Sequence, residues 1–241
     1  MGPLTHSTML AMANEPPTTD PSQSGPASVA GFPLGDYQTN CYVVRAAGAA
    51  PDDPRCWVVD CGYEPEPLIA YLKKHALQPE VVVLTHAHPD HIAGLSQLCA
   101  QMGNPPIWIH SVEEDWLLNA DKNLSTFLGL PVTAPPASRL LAHGETLTLC
   151  GEPWEVRHTP GHSPGGVSLI NLDRSLAFVG DTLFAGSIGR HDFPGSSFEV
   201  LEKSIREQLY TLPDDTLALP GHGPTTMIGD EKTSNPFVRA E

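Results

Sequence analysis

Basic side chains are scarce in this 241-residue chain: 13 Lys and Arg stand against 28 Asp and Glu, for a formal net charge of −15. A phosphate backbone is gripped by a basic surface, so the balance excludes nucleic acid as the main partner. The acidity keeps the molecule dispersed in water and says little more. No Lys or Arg precedes Arg45, whereas a signal peptide opens on a positively charged segment. No apolar run approaches the ~20 residues needed to cross a bilayer, so no membrane association is expected. Cysteine is sparse too. Cys41, Cys56, Cys61, Cys99 and Cys150 have neither the even count of a disulfide framework nor a CxxC metal pair. Reduced, mostly buried thiols in a reducing compartment are expected, which points to a cytoplasmic protein. Nothing in the sequence indicates an oligomeric state.

What remains is a chain with 40% apolar and 17% charged residues, the balance of a globular protein with a sizeable core. Residues 1–28, including "NEPPTTDPSQSGPAS", hold too little apolar surface to offset the entropy of ordering, so a disordered tail is expected before one domain at 29–241. Within the domain, strands are expected at "CYVV", "CWVVD", "EVVVLT", "PIWIH", "ETLTLC", "WEVRHT", "VSLIN", "SLAFVG" and "TLALPG". Helical spacing appears in "PLIAYLKKHAL", in "HIAGLSQLCAQM" and in "FEVLEKSIREQLYTL", where Phe198, Leu201, Ile205 and Leu209 share a face. A short helix at "EEDWLL" precedes a long loop containing proline. The continuous β-branched run in "EVVVLT" suits a strand covered on both faces, so sheets with helical cover are expected.

One stretch, "LTHAHPDHIAGL", places His86, His88, Asp90 and His91 within six positions. Three other segments, "TPGHSPGG", "FVGDTLF" and "LPGHGPTT", set His162, Asp181 and His222 beside glycine just after an expected strand. Such strand ends are where open α/β sheets place ligands. Imidazole and carboxylate are borderline donors suited to Zn, Fe or Mn. A tight turn cannot aim four ligands at one small ion. The seven donors therefore suggest two divalent ions, zinc first, sharing a carboxylate and a hydroxide at a normal separation of ~3.5–4 Å. A purely structural site would close on four ligands, usually with cysteine. The other histidines (His6, His75, His110, His143, His158 and His191) are read as surface or structural residues, His191 in a loop close to the site.

These residues resemble the metallo-β-lactamase superfamily, whose motif is H-x-H-x-D-H followed by a lone His, Asp and His. The resemblance spans about residues 30–238. It implies an α/β fold, a four-layer αββα sandwich in a single domain, with two metals at one edge. It implies that His86, His88 and His162 hold metal 1, that Asp90, His91 and His222 hold metal 2, and that Asp181 bridges them. Asp60, ending "WVVD", would support the histidines from behind. Within the superfamily, "GDTLFAGSIGRHDFPGSS" is similar to small glyoxalase II-like enzymes, which hydrolyse S-lactoylglutathione. A small-molecule substrate, such as a glutathione thioester, is implied, with Arg190 gripping a glutathione carboxylate.

The chain departs from that pattern in two positions. Asp192 and Pro224 stand where glyoxalase II has tyrosines, and no C-terminal helical domain with further basic contacts is expected. The expected chemistry is attack of a metal-bridging hydroxide on a thioester carbonyl, with Asp90 and Asp181 as the catalytic carboxylates. A thiolate with a conjugate acid of pKa ~8.5 leaves without a strong general acid. Two alternatives follow from the same resemblance. Arg190 to Phe193 is similar to the mononuclear-iron persulfide dioxygenases, and other superfamily hydrolases include lactonases.

Overall fold

Residues 80–84 show why two cores form. Val81 and Val83 point to one side of their strand, while Val82 and Leu84 point to the other, and all four are fully buried. A strand with period-two geometry and no polar face needs cover on both sides. In the computed structural model, which describes residues 29–240, that strand is β4 (Gln78–Val83). The expected tail, residues 1–28, lies outside the described residues.

The first sheet has the order β1 (Val29–Leu34), β2 (Thr39–Val44), β3 (Arg55–Val59), β4, β5 (Ile107–His110), β6 (Arg139–Leu141). Its first three strands run antiparallel and β3 to β6 run parallel. The second sheet has the order β14 (Thr226–Met227), β13 (Leu217–Pro220), β10 (Leu176–Gly180), β9 (Val167–Asn171), β8 (Glu152–His158), β7 (Thr146–Leu149). All its pairs are antiparallel except β10 with β13. A small hairpin, β11 (Leu183–Phe184) and β12 (Ser187–Ile188), follows β10.

The inner faces of the two sheets meet in an aromatic core. Trp57 packs edge-on to Trp154 at 5.0 Å and to Phe178 at 5.5 Å, and Tyr42 lies 5.1 Å from Phe178. Such pairs add about 0.5–1.5 kcal/mol each beyond the area they bury. On the outer face of the first sheet, α1 (Glu66–Lys74) and α3 (Leu95–Gln101) bury Leu68, Leu72, Leu95 and Leu98. On the outer face of the second, α4 (Phe198–Ser204) and a π turn at Ile205–Leu209 bury Leu201, Ile205 and Leu209. The layers are therefore helix, sheet, sheet, helix, the expected αββα sandwich. The five cysteines are buried and unpaired, and among the described residues no helix is long and apolar enough to cross a membrane.

Two expectations are corrected. The helix expected over "HIAGLSQLCAQM" is broken into α2 (Pro89–Ile92) and α3. Gly94 sits at the break because a Cβ there would collide with the Gly62 carbonyl and lie 2.9 Å from Cys61 Sγ. Its amide donates to Cys61 O and the Cys61 amide donates to His91 O, which clamps the turn against the end of β3. The second correction concerns extent. Strands β1, β6, β11, β12 and β14 and the terminal helix α5 (Ile228–Ser234) add to the elements read from the sequence.

A candidate metal centre at one edge of the sandwich

Strands β8, β10 and β13 point the same way, since β8 and β10 both run antiparallel to β9 while β13 is parallel to β10. Their C-terminal ends launch the loops bearing His162, Asp181 and His222. The parallel pair β3 and β4 delivers Asp60 and the turn from Thr85 to His91. The structure brings all seven sequence-selected donors to this one edge, in three groups of mutually close ligand atoms: His86, His88 and His162; Asp90, His91 and His222; and His86, His91 and Asp181. Asp181 lies between the first two groups, with Oδ1 3.4 Å from His91 Nε2 and Oδ2 3.4 Å from both His162 Nε2 and His222 Nε2.

The far nitrogen of four of the five rings is anchored. His91 Nδ1 meets Asp60 Oδ2 at 2.9 Å, His86 Nδ1 meets Thr85 Oγ1 at 3.1 Å, His162 Nδ1 meets the Arg190 carbonyl at 2.8 Å and His222 Nδ1 meets the Tyr37 carbonyl at 3.1 Å. Anchoring Nδ1 aims the Nε2 lone pair into the site and fixes the tautomer. His88 is turned the other way, with Nδ1 2.9 Å from His162 Nε2.

Asp60 reaches this position with φ at 56°, a region costly for a residue with a side chain and tolerated where the surroundings hold it. Its carboxylate also accepts from the Thr85 amide at 2.8 Å and the Thr85 hydroxyl at 2.7 Å. Space is tight as well: a Cβ on Gly221 would fall on Asp181 Oδ1 and lie 2.8 Å from His91 Cε1.

Electrostatics divide the donors. Burial, with neighbouring histidines adding to it, pushes His86 well below the ordinary imidazole value and His88 down to about 3; burial lowers His162 as well. These three are neutral lone-pair donors. Burial works the other way on the two carboxylates. His91 and His222 outweigh it, leaving Asp90 at about 2 and Asp181 well below the ordinary range. In return the carboxylates overcome burial and raise His91 well above its usual value and His222 to about 9. Negative charge with neutral imidazole is the state that binds a cation, and a cation competes with protons at His91 and His222. The fit is visible in the orphaned atoms. His86 Nε2, His91 Nε2 and Asp181 Oδ1 are buried with no hydrogen-bond partner, a costly arrangement in a folded protein unless a ligand satisfies it. The donor set is that of a dinuclear site.

For Arg190 the sequence predicts a substrate-gripping guanidinium. That group is exposed, forks onto Asp192 at 3.0 and 3.1 Å and lies 4.1 Å over the Phe193 ring. The backbone carbonyl of Arg190, unforeseen in the sequence, anchors His162. Of the histidines set aside, His110 and His158 stack at 4.1 Å behind the site, His75 and His143 are exposed, and His191 lies against Phe198; His6 is outside the described residues.

Sequence reasoning missed two features. Fully buried Glu113 accepts from the Ala87 amide at 2.6 Å and the Gly165 amide at 2.7 Å. It thereby joins the His86–His88 turn to the His162 loop. The only signal was an acid in "EEDWLL". The other feature is the wall of a cavity of about 330 Å³ that opens over the donors, lined by Tyr37, Leu124, Phe127, Leu128, Phe184 and Phe193.

The sequence profile of the metallo-beta-lactamase superfamily matches residues 34–222. Two relatives cover most of the chain. The probable metallo-hydrolase YqgX of Bacillus subtilis is 40% identical over 86% of this chain and 95% of its own. The hydroxyacylglutathione hydrolase GloC of Haemophilus influenzae is 36% identical over 87% and 97%. Among solved structures, the B3 metallo-beta-lactamase BLEG-1 superposes with a TM-score of 0.82 at 39% identity, covering 88% of this chain and 99% of that one. TTHA1623 in a di-iron-bound form gives 0.70 at 35%, covering 85% and 98%. With its two-sheet sandwich and its His/Asp cluster at the shared edge, the chain belongs to the metallo-beta-lactamase superfamily and is one of its metallo-hydrolases.

Proposed function

We propose that the protein hydrolyses a thioester, such as S-lactoylglutathione, with two divalent cations held by His86, His88 and His162 on one side of Asp181 and by Asp90, His91 and His222 on the other. The observation that carries this reading is the pair of complete donor triads flanking one buried carboxylate. Bound there, the cations would acidify a water to near neutrality and polarise the scissile carbonyl. The relative named hydroxyacylglutathione hydrolase supports the substrate class. Zinc is the proposed metal; the same donors accept iron or manganese, and the di-iron relative supports iron as the first alternative.

The chain's own residues do the rest. Asp60, Thr85 and the Tyr37 and Arg190 carbonyls hold four imidazoles with Nε2 facing inward. Asp90 Oδ2 accepts from the Thr39 hydroxyl at 2.9 Å and lies 3.1 Å from His222 Nε2, so that carboxylate is fixed on the cavity side and can orient an attacking water. Phe193, 5.5 Å from the His88 ring, shields the first triad from bulk water. No further titratable side chain is needed for the leaving group, because a thiolate departs unprotonated near neutral pH.

The test pairs metal analysis with thiol release. Metal-loaded protein should release glutathione from S-lactoylglutathione and carry about two ions per chain. Asp181→Ala should lose metal and at least ~10²-fold in kcat/KM, the scale of removing a group that acts on the reacting centre. Full metal and full activity in that variant would refute the shared role. A mononuclear-iron persulfide dioxygenase would leave the Asp90, His91 and His222 triad without a task. Oxygen uptake on glutathione persulfide with no thiol release from any thioester would favour that reading instead.

A further inference from the structure

The cavity above the donors is built from surface that folding alone does not explain. Phe127 is 84% exposed, Tyr37 49% and Leu128 42%. Large apolar groups clustered in one place mark a site for something else to cover. The loop that carries two of them is anchored at its base. Buried Asn123 donates from Nδ2 to the carbonyls of Trp116 and Val132, both at 3.0 Å, and the Val132 amide donates to Ser125 Oγ at 2.8 Å. Phe127 and Leu128 sit at the tip of that braced loop and line the cavity mouth. Phe193 and Phe184 line the same cavity, Phe193 lying against His88 and Phe184 against His222, at 5.5 and 6.2 Å.

The polar inventory of the same wall is short. Apart from the metal-site donors, the described lining residues offer the Tyr37 hydroxyl and the Arg190 guanidinium. Two of that guanidinium's five N–H donors fork onto Asp192, which offsets its charge, and its plane covers Phe193. A glutathione group brings two carboxylates, an ammonium and two peptide amides. Away from the metal donors they would meet one cation paired with an acid, one phenol hydroxyl, and otherwise phenyl and leucine side chains. Burying charge without partners is costly, whereas an apolar group would cover Phe127, Tyr37 and Leu128 at about 25 cal/mol per Å².

We propose that the substrate presents an apolar, uncharged group to this wall, so that the enzyme prefers neutral thioesters bearing an aryl or alkyl substituent over glutathione thioesters. The inference rests on the thioester reading for its chemistry, but the wall can be probed without turnover.

The experiment uses the metal-loaded protein and two thioesters, the phenylacetyl thioester of N-acetylcysteamine and S-lactoylglutathione. The kcat/KM of the first should exceed that of the second by at least about tenfold, the lower end of what burying one phenyl group supplies. Phe127→Ala, at a position exposed enough to leave the fold intact, should cut that ratio to threefold or less. Calorimetry with two inert thioethers supplies the turnover-free arm: S-phenethyl-N-acetylcysteamine should bind at least about tenfold more tightly than S-methylglutathione. Equal or better use of S-lactoylglutathione, or equal binding of the two thioethers, overturns the inference and leaves thioester hydrolysis standing. Selective thioether binding with no hydrolysis of either thioester upholds the apolar wall and sinks the thioester reading.

Discussion

A buried carboxylate held by two backbone amides, with no lysine or arginine paired to it, is an expensive residue to keep. Burial pushes the Glu113 carboxyl up, and the Gly165 and Ala87 amides that it accepts from pull it back. Its two oxygens each accept from a different loop, so the side chain measures the distance between the first pair of donors and His162. A Cβ on Gly165 would lie 2.7 Å from Glu113 Cγ, which explains the first of the two closing glycines in "TPGHSPGG". Glutamine has the same shape but only one acceptor, and its NH₂ would face a backbone N–H. Glu113→Gln is therefore expected to weaken metal binding by about 10-fold or more, the range for groups that orient metal ligands, and to cost roughly 1–3 kcal/mol of stability. Competition against a chelator of known affinity measures the first and denaturant unfolding the second; unchanged metal affinity would make Glu113 a packing residue only.

At the scale of elements, the ends of β5 and β8 are joined by the stacked rings of His110 and His158, 11° from parallel. Burial, then His158, holds His110 down at about 4. The unfolded chain takes up that proton near the ordinary value of about 6.5, so below it the unfolded state binds more protons than the folded one. The stability from this group is present above about 6.5 and is lost as pH falls towards 4. His110→Phe keeps the stack and removes the titration. The difference in unfolding free energy between variant and parent should move in the variant's favour across that window and be flat above it. A difference that does not vary with pH would show that the ring does not titrate there.

The same scale explains what could be read in advance. The central strands were legible because residues such as Val81 to Leu84 are buried on both faces and leave an unbroken apolar run. Strands β1, β6 and β14 lie at sheet edges, where half-exposed backbone dilutes the pattern with Gly31, Pro33 and Arg139. The break at Gly94 is invisible to helical periodicity, since it is imposed by the distant carbonyl of Gly62. The cluster of candidate metal donors was legible because their residue types are rare together and sit at strand ends. The cavity wall was not: Phe127 in a long loop reads like any exposed side chain until folding brings it to the same cavity as Phe193.

For the whole molecule, the candidate donors come from both sheets, so cations held by them at the shared edge would cross-link the two halves of the sandwich. A ligand present at 100 times its Kd stabilises the folded state by about 2.7 kcal/mol, or about 5–10 °C in a domain of this size. Removing metal with a chelator should lower Tm by that amount, and restoring zinc should recover it. A Tm indifferent to chelation would mean that the sheets are held by their aromatic core alone. One contact at this edge has a longer reach. His162 is steadied by the main chain at position 190, and a peptide carbonyl is common to every amino acid. Mutation can therefore repaint the side of the cavity facing the substrate while the reactive centre keeps its alignment, which would let a lineage of these proteins drift from one compound to another in single steps without passing through an inactive ancestor.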